Sequence, residues 1–170
     1  MLSACMPPSG GQRKLRTMSR AFVKEVEHEI DDLPDRPVST HPNLVTAEGL
    51  VAIERTLSRF KAAHKVAITK NDRTAIAATQ RELRYWNARR STAQVVEPAA
   101  DKSKVHFGAT VTVQRDDGRA QTFRIVGEDE AEPARGTISY VSPLARAVLG
   151  GMAGDDVEVP GGNATITEIK

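Results

Sequence analysis

Cysteine is nearly absent. One thiol, Cys5, among 170 residues excludes an internal disulfide and fits a reducing compartment. Nor can it complete a zinc site, because the four histidines, His28, His41, His64 and His106, show no metal-ligand spacing. No apolar run approaches the roughly 20 residues that cross a bilayer, so a membrane span is excluded. A phosphate-cradling glycine loop is missing too: "PGG" and "LGGMAGDD" lack the lysine and the strand-to-helix context. There is no nucleophile elbow, and no grouping of nucleophile, base and oxyanion donors. An independent enzyme is therefore not expected, and neither a metal nor another cofactor is.

What is present is a soluble composition, 39% hydrophobic and 27% charged, in a chain long enough for one ordinary domain or two small ones. The net charge of +2 hides a division. Residues 46–93 carry ten Lys/Arg against four Asp/Glu, whereas residues 94–170 carry eight against twelve. A basic middle third points to an anionic partner, nucleic acid first; a solvated helix surface is the other reading. At the start, "LSAC" has the form of a lipoprotein cleavage box but lacks a charged region and an apolar stretch around it, and Met18 opens a more natural beginning.

Residues 1–45 read as a flexible leader and linker, with one helical candidate at Arg20 to Ile30 followed by "DDLPDRPVSTHPN". Thr46 is a good helix N-cap, with Glu48 in the first turn. From there Leu50, Ile53, Leu57, Phe60, His64 and Ala67 recur at the heptad period. A second seam runs through Ile76, Thr79, Leu83, Trp86, Arg90 and Ala93. Two such helices form an antiparallel hairpin over residues 46–95, with its turn expected at the centre of "KVAITKND" and with Asn71 and Asp72 at the tip. Trp86 on the seam reads as packing rather than as a base-stacking platform, and His64 as a packed or edge residue.

After "VVEPAADKSK" the period becomes strand-like. "VHFGATVTV", a turn at "DDG", "QTFRIVG" and "TISYV" give three strands, Ser142 and Pro143 open a short helix to Leu149, and "DDVEV" and "NATITEI" give two more. The fold class expected is α+β: a coiled-coil hairpin, then an antiparallel sheet packed on one short helix over residues 104–170.

Those residues, "FGATVTV", "FRIVGEDEA", "ISYVSPLARAVLG", "GDDVEV" and "PGG" in that order, resemble the C-terminal domain of the Gre transcript cleavage factors, and the likeness extends weakly into the hairpin from Val45. The resemblance implies an FKBP-like domain without isomerase activity that docks on bacterial RNA polymerase beside its secondary channel. It also implies docking through the Ser-Pro-x-Ala element, here Val141, Ser142, Pro143 and Ala145. Ser142 and Pro143 are equally an ordinary helix start.

In the family, acidic residues at the hairpin tip help hold a second Mg²⁺ for RNA cleavage, a task suited to paired carboxylates on a hard cation. This sequence departs there: its turn carries Lys70, Asn71, Asp72 and Arg73, and Glu82 lies well along the helix. The arms are also shorter than the family's by about nine residues, or about 13 Å of reach at 1.5 Å per residue. The expected function is that of a polymerase-binding regulator at the secondary channel, cytoplasmic and monomeric, whose hairpin supplies no cleavage carboxylates. Arg55, Arg59, Lys61, Lys65, Lys70, Arg73, Arg81 and Arg84 form its basic surface, with nascent RNA as a further partner. Two alternatives stand beside it: an active cleavage factor using Asp72, and an interaction module of the nucleoside diphosphate kinase regulator type.

Overall fold

The computed structural model describes residues 33–170. The expected helix at Arg20 to Ile30 and the cleavage-box-like residues near Cys5 lie outside them. Two helices, α1 (Ala47–Thr69) and α2 (Arg73–Thr92), form the antiparallel hairpin. α1 starts where the sequence requires, because the Thr46 hydroxyl accepts from the Gly49 amide at 2.9 Å. At 1.5 Å per residue its 23 residues extend for about 34 Å.

The turn lies later than the centre of "KVAITKND". α1 continues through Thr69, and the reversal is confined to Lys70, Asn71 and Asp72. The reason is local: Lys70 N still donates to Val66 O at 3.0 Å, and Asn71 takes the left-handed φ of 51°, which asparagine tolerates. Asp72 then caps the new helix by accepting from Ala75 N at 3.0 Å.

The seam follows the heptad positions over most of its length, with Ile53, Leu57 and Ala67 buried and Leu83 and Trp86 half-buried. Arg90 is the exception: it is exposed and paired with Glu54 at 3.1 Å. Its neighbour Arg89 is the residue that goes inside, at 1% exposure.

At the hairpin base, β1 (Leu44–Val45) and β2 (Gln94–Val95) pair in parallel. A parallel pair needs a long crossover, and here the whole helical hairpin is that crossover. The leader-and-linker reading did not anticipate what precedes it. Asp35 pairs with Arg84 at 2.5 Å, and Arg36 pairs with Glu82 at 2.7 Å while stacking 3.7 Å from the Tyr85 ring centroid. Asn43 is buried and donates to Arg89 O at 2.6 Å. Residues 33–43 are thus a strap along α2, held by charge and π contacts that a composition reading for Pro and turn formers does not register.

The second unit is a five-stranded sheet, ordered β5-β4-β3-β7-β6, from β3 (Thr110–Arg115), β4 (Ala120–Val126), β5 (Thr137–Ser139), β6 (Asp156–Val159) and β7 (Gly162–Ile169). One helix, α3 (Pro143–Val148), packs on it through Ala145 and Val148. Alternation places Val111, Val113, Phe123, Ile125, Ala164 and Ile166 in one core. The expectation of an antiparallel sheet needs correction at one edge, where β5 runs parallel to β4. Residues 127–136 make this possible, crossing back through two 3₁₀ turns (Glu128–Glu130 and Pro133–Arg135) and a left-handed Gly136 at φ 78°. Together the two units give the α+β class expected.

Candidate functional site

The hairpin tip is built by helix-capping chemistry. Asp72 has its carboxylate on the first turn of α2, and the other tip positions hold Lys70, Asn71 and Arg73. Val66 and Ile68, on the last turn of α1, are 52% and 56% exposed, so the tip surface is basic and aliphatic. Among the described residues no group of three or more His, Cys, Asp or Glu is placed to hold a metal ion.

The eight cations proposed for the basic surface separate in the structure. Arg55, Arg59, Lys61, Lys65, Lys70 and Arg73 are exposed. They lie on α1 and the tip, away from the seam. Arg84 is also exposed, but it is held by Asp35 of the strap. Arg81 is half-buried, with its Nε shielded and without a hydrogen-bond partner among the described residues. The exposed cations are therefore mainly on α1 and the tip, and the strap engages α2 at Glu82, Arg84 and Tyr85. Trp86 is covered as well: it stacks edge-on with Tyr85 at 5.2 Å between ring centroids and donates to Glu82 at 3.2 Å. That geometry is packing, in line with its seam position.

Of the docking candidates, Ala145 is 0% exposed and belongs to the sheet core, where its side chain cannot meet a partner. The Ser142 hydroxyl caps α3, accepting from Ala145 N at 3.2 Å. Val141 and Ser142 are half-buried, and Pro143 is exposed at the first helical position. The element therefore offers Pro143 and the rim of its turn.

What sequence reasoning missed is the latch between the two units. The 3₁₀ turn Glu128–Glu130 places three successive carboxylates against the hairpin base. Glu130 accepts from the Thr46 amide at 2.9 Å and from the Thr46 hydroxyl at 2.5 Å. Asp129 accepts from the Tyr85 hydroxyl at 2.7 Å and from Arg89 Nε. Glu128 stands 3.7 Å from Arg89 Nη2. Burial and the bond to Asp129 push the Tyr85 phenol up to about 12, against opposing fields from Arg89 and Arg36. On the other side of the contact, Tyr140 donates its hydroxyl to Pro42 O of the strap. The signal was in the sequence as "GEDEA" and the doubled arginine at 89 and 90. Nothing in the spacing linked residues 40 apart.

The fold is thus a helical hairpin latched by its base to a small α+β domain. The comparisons with known proteins place the chain in a family. The family described as transcription elongation factor, GreA/GreB, C-terminal, matches residues 100–170. Over 142 residues the chain is 33% identical to transcription elongation factor GreA of Desulfovibrio desulfuricans, covering 71% of this chain and 88% of that protein. It is 32% identical over 151 residues to transcription elongation factor GreB of Yersinia pestis, with coverage of 75% and 88%. A solved structure, GreA factor homolog 1 of Thermus thermophilus, aligns over 76% of this chain and 99% of that one at 18% identity, with a TM-score of 0.35. The chain belongs to the GreA/GreB family of transcription elongation factors.

Proposed function

We infer that the protein is a bacterial regulator that binds RNA polymerase with its sheet domain, read as FKBP-like, and places the short hairpin at the secondary channel without supplying carboxylates for transcript cleavage. It acts as a monomer in the cytoplasm. Its effect is exerted through the polymerase, not through chemistry of its own. The observation that carries this reading is the tip: among the described residues Asp72 is the one carboxylate there, and it is engaged by Ala75 N in capping α2. A carboxylate used in this way has one lone-pair site fewer to offer a cation, and two-metal hydrolysis requires both metals to be positioned.

Occlusion is the mechanism that fits such a tip. The cations of α1 and the tip, Lys65 and Lys70 among them, suit an acidic channel mouth or nascent RNA, and contacts of this kind raise association rates and weaken with salt. The test is RNA cleavage in a backtracked elongation complex with a limiting amount of an active GreA or GreB factor. Adding this protein is expected to slow cleavage. Faster cleavage that is lost on Asp72→Ala would overturn the reading in favour of an active factor, and failure to bind core polymerase would favour an interaction module for another protein.

A further inference from the structure

A cavity of about 160 Å³ lies at the start of the sheet domain, between residues 98–109 and the end of β7. Lys102, Lys104, His106 and Lys170 line it together with Asp101. This half of the chain carries more acidic than basic residues, so three lysines around one cavity run against the local balance.

The walls are fixed by backbone. Val105, 1% exposed, is anchored in the core and exchanges hydrogen bonds with the loop after α3: its amide donates to Gly151 O at 2.8 Å, and its carbonyl accepts from Gly150 N at 2.9 Å. That anchor sets Lys104 and His106 on either side of it. Lys170 is held by a reciprocal pair of hydrogen bonds with Thr110, at 2.8 and 3.0 Å.

The charges are unevenly matched. Lys170 pairs with Glu168 at 2.9 Å, and Asp101 accepts from Ser103 N at 2.8 Å. Lys102 and Lys104 have no ion pair among the described residues. The His106 Nε2 atom is shielded from solvent and has no hydrogen-bond partner among the described residues.

The geometry points to a binding site for a phosphate group in this cavity. Its volume suits one or two phosphates. Lysine ammonium groups bind phosphate as point charges, and the charge-assisted bonds they form are about twice as strong as neutral ones. Lys102 and Lys104 supply the charge, and the His106 ring, in the same lining, reports on what enters the cavity. The phosphate can belong to a free small molecule or to an RNA backbone, and the two sources are separable by experiment.

The test follows the His106 imidazole resonance of the full chain by NMR at constant ionic strength, with pyrophosphate and a short single-stranded RNA as probes. A saturable shift with pyrophosphate is expected. It should weaken at least fivefold in Lys102→Gln/Lys104→Gln and be unchanged in Arg119→Gln. Both lysines are exposed, so the double variant should keep the remaining spectrum. A shift with pyrophosphate alone assigns a small phosphorylated ligand, and a shift with both probes adds backbone phosphate. The proposal is overturned if neither probe gives a saturable shift, if chloride at matched ionic strength gives the same shift, or if the double variant binds as the parent does.

Discussion

Arg89 of α2 and Asp129 of the acidic 3₁₀ turn form a buried ion pair, with the guanidinium Nε donating to a carboxylate oxygen across the boundary between hairpin and sheet domain. Removing one member leaves the other charge buried without its partner, a change that costs about 3–5 kcal/mol. Arg89→Met should lower stability by that order in urea denaturation. The double variant Arg89→Met/Asp129→Leu should recover much of the loss. If the single variant unfolds with the parent, the latch contributes little.

Gly49 is the second expected weak point. A Cβ at this position would meet the Glu130 carboxylate at 1.9 Å, and that carboxylate is held by both the amide and the hydroxyl of Thr46. Gly49→Ala should therefore cost about 1–3 kcal/mol, the penalty for stranding buried hydrogen-bonding groups. In a Glu130→Ala background the sign should reverse, because alanine is favoured over glycine in a helix by about 1 kcal/mol. Melting temperatures of the four proteins in this cycle decide the matter.

Asp72 separates capping from catalysis. Asp72→Ala should destabilise the hairpin by about 1 kcal/mol, as the loss of an N-cap does, and Asp72→Asn should keep the cap. Neither substitution should alter how the protein affects RNA cleavage by polymerase. Circular dichroism melts and the cleavage assay, run side by side, read the two effects independently.

Tyr85 sets an alkaline limit. Its phenol titrates at about 12 in the folded chain, against an ordinary value near 10, because burial and Asp129 oppose the phenolate. The raised value favours the protonated folded state, so this contribution to stability is complete below about pH 10 and is lost as pH rises towards 12. Absorbance at 295 nm should show Tyr85 ionising together with unfolding, and Tyr85→Phe should flatten the pH dependence of stability across that interval.

The helical seam and the strands were legible because each carries a period that a single chain segment displays by itself. Ile53 and Leu57, or Val111 and Val113, announce their burial by spacing. Arg89 does not: a heptad reading favours its neighbour, and the partner that makes burial affordable is 40 residues away. The strap was missed for the same reason, since Arg36 is ordinary until Tyr85 and Glu82 are placed beneath it. At the candidate site, the tip residues Asn71 and Asp72 could be named in sequence, whereas the capping bond from Ala75 N to Asp72 is visible only in the structure. Ala145 was named too, but only packing reveals that it faces inward.

The parallel pairing of Leu44–Val45 with Gln94–Val95, the latch and the strap at Glu82 and Arg84 hold the hairpin through its lower half. Nothing in those contacts depends on how far the arms extend. Matched insertion of one heptad in each arm, about 10 Å of helix, would advance the tip while leaving every base contact in place. The fold therefore behaves as a ruler with a fixed zero, and the length of its arms is a variable that can change without renegotiating how the rest of the molecule is held.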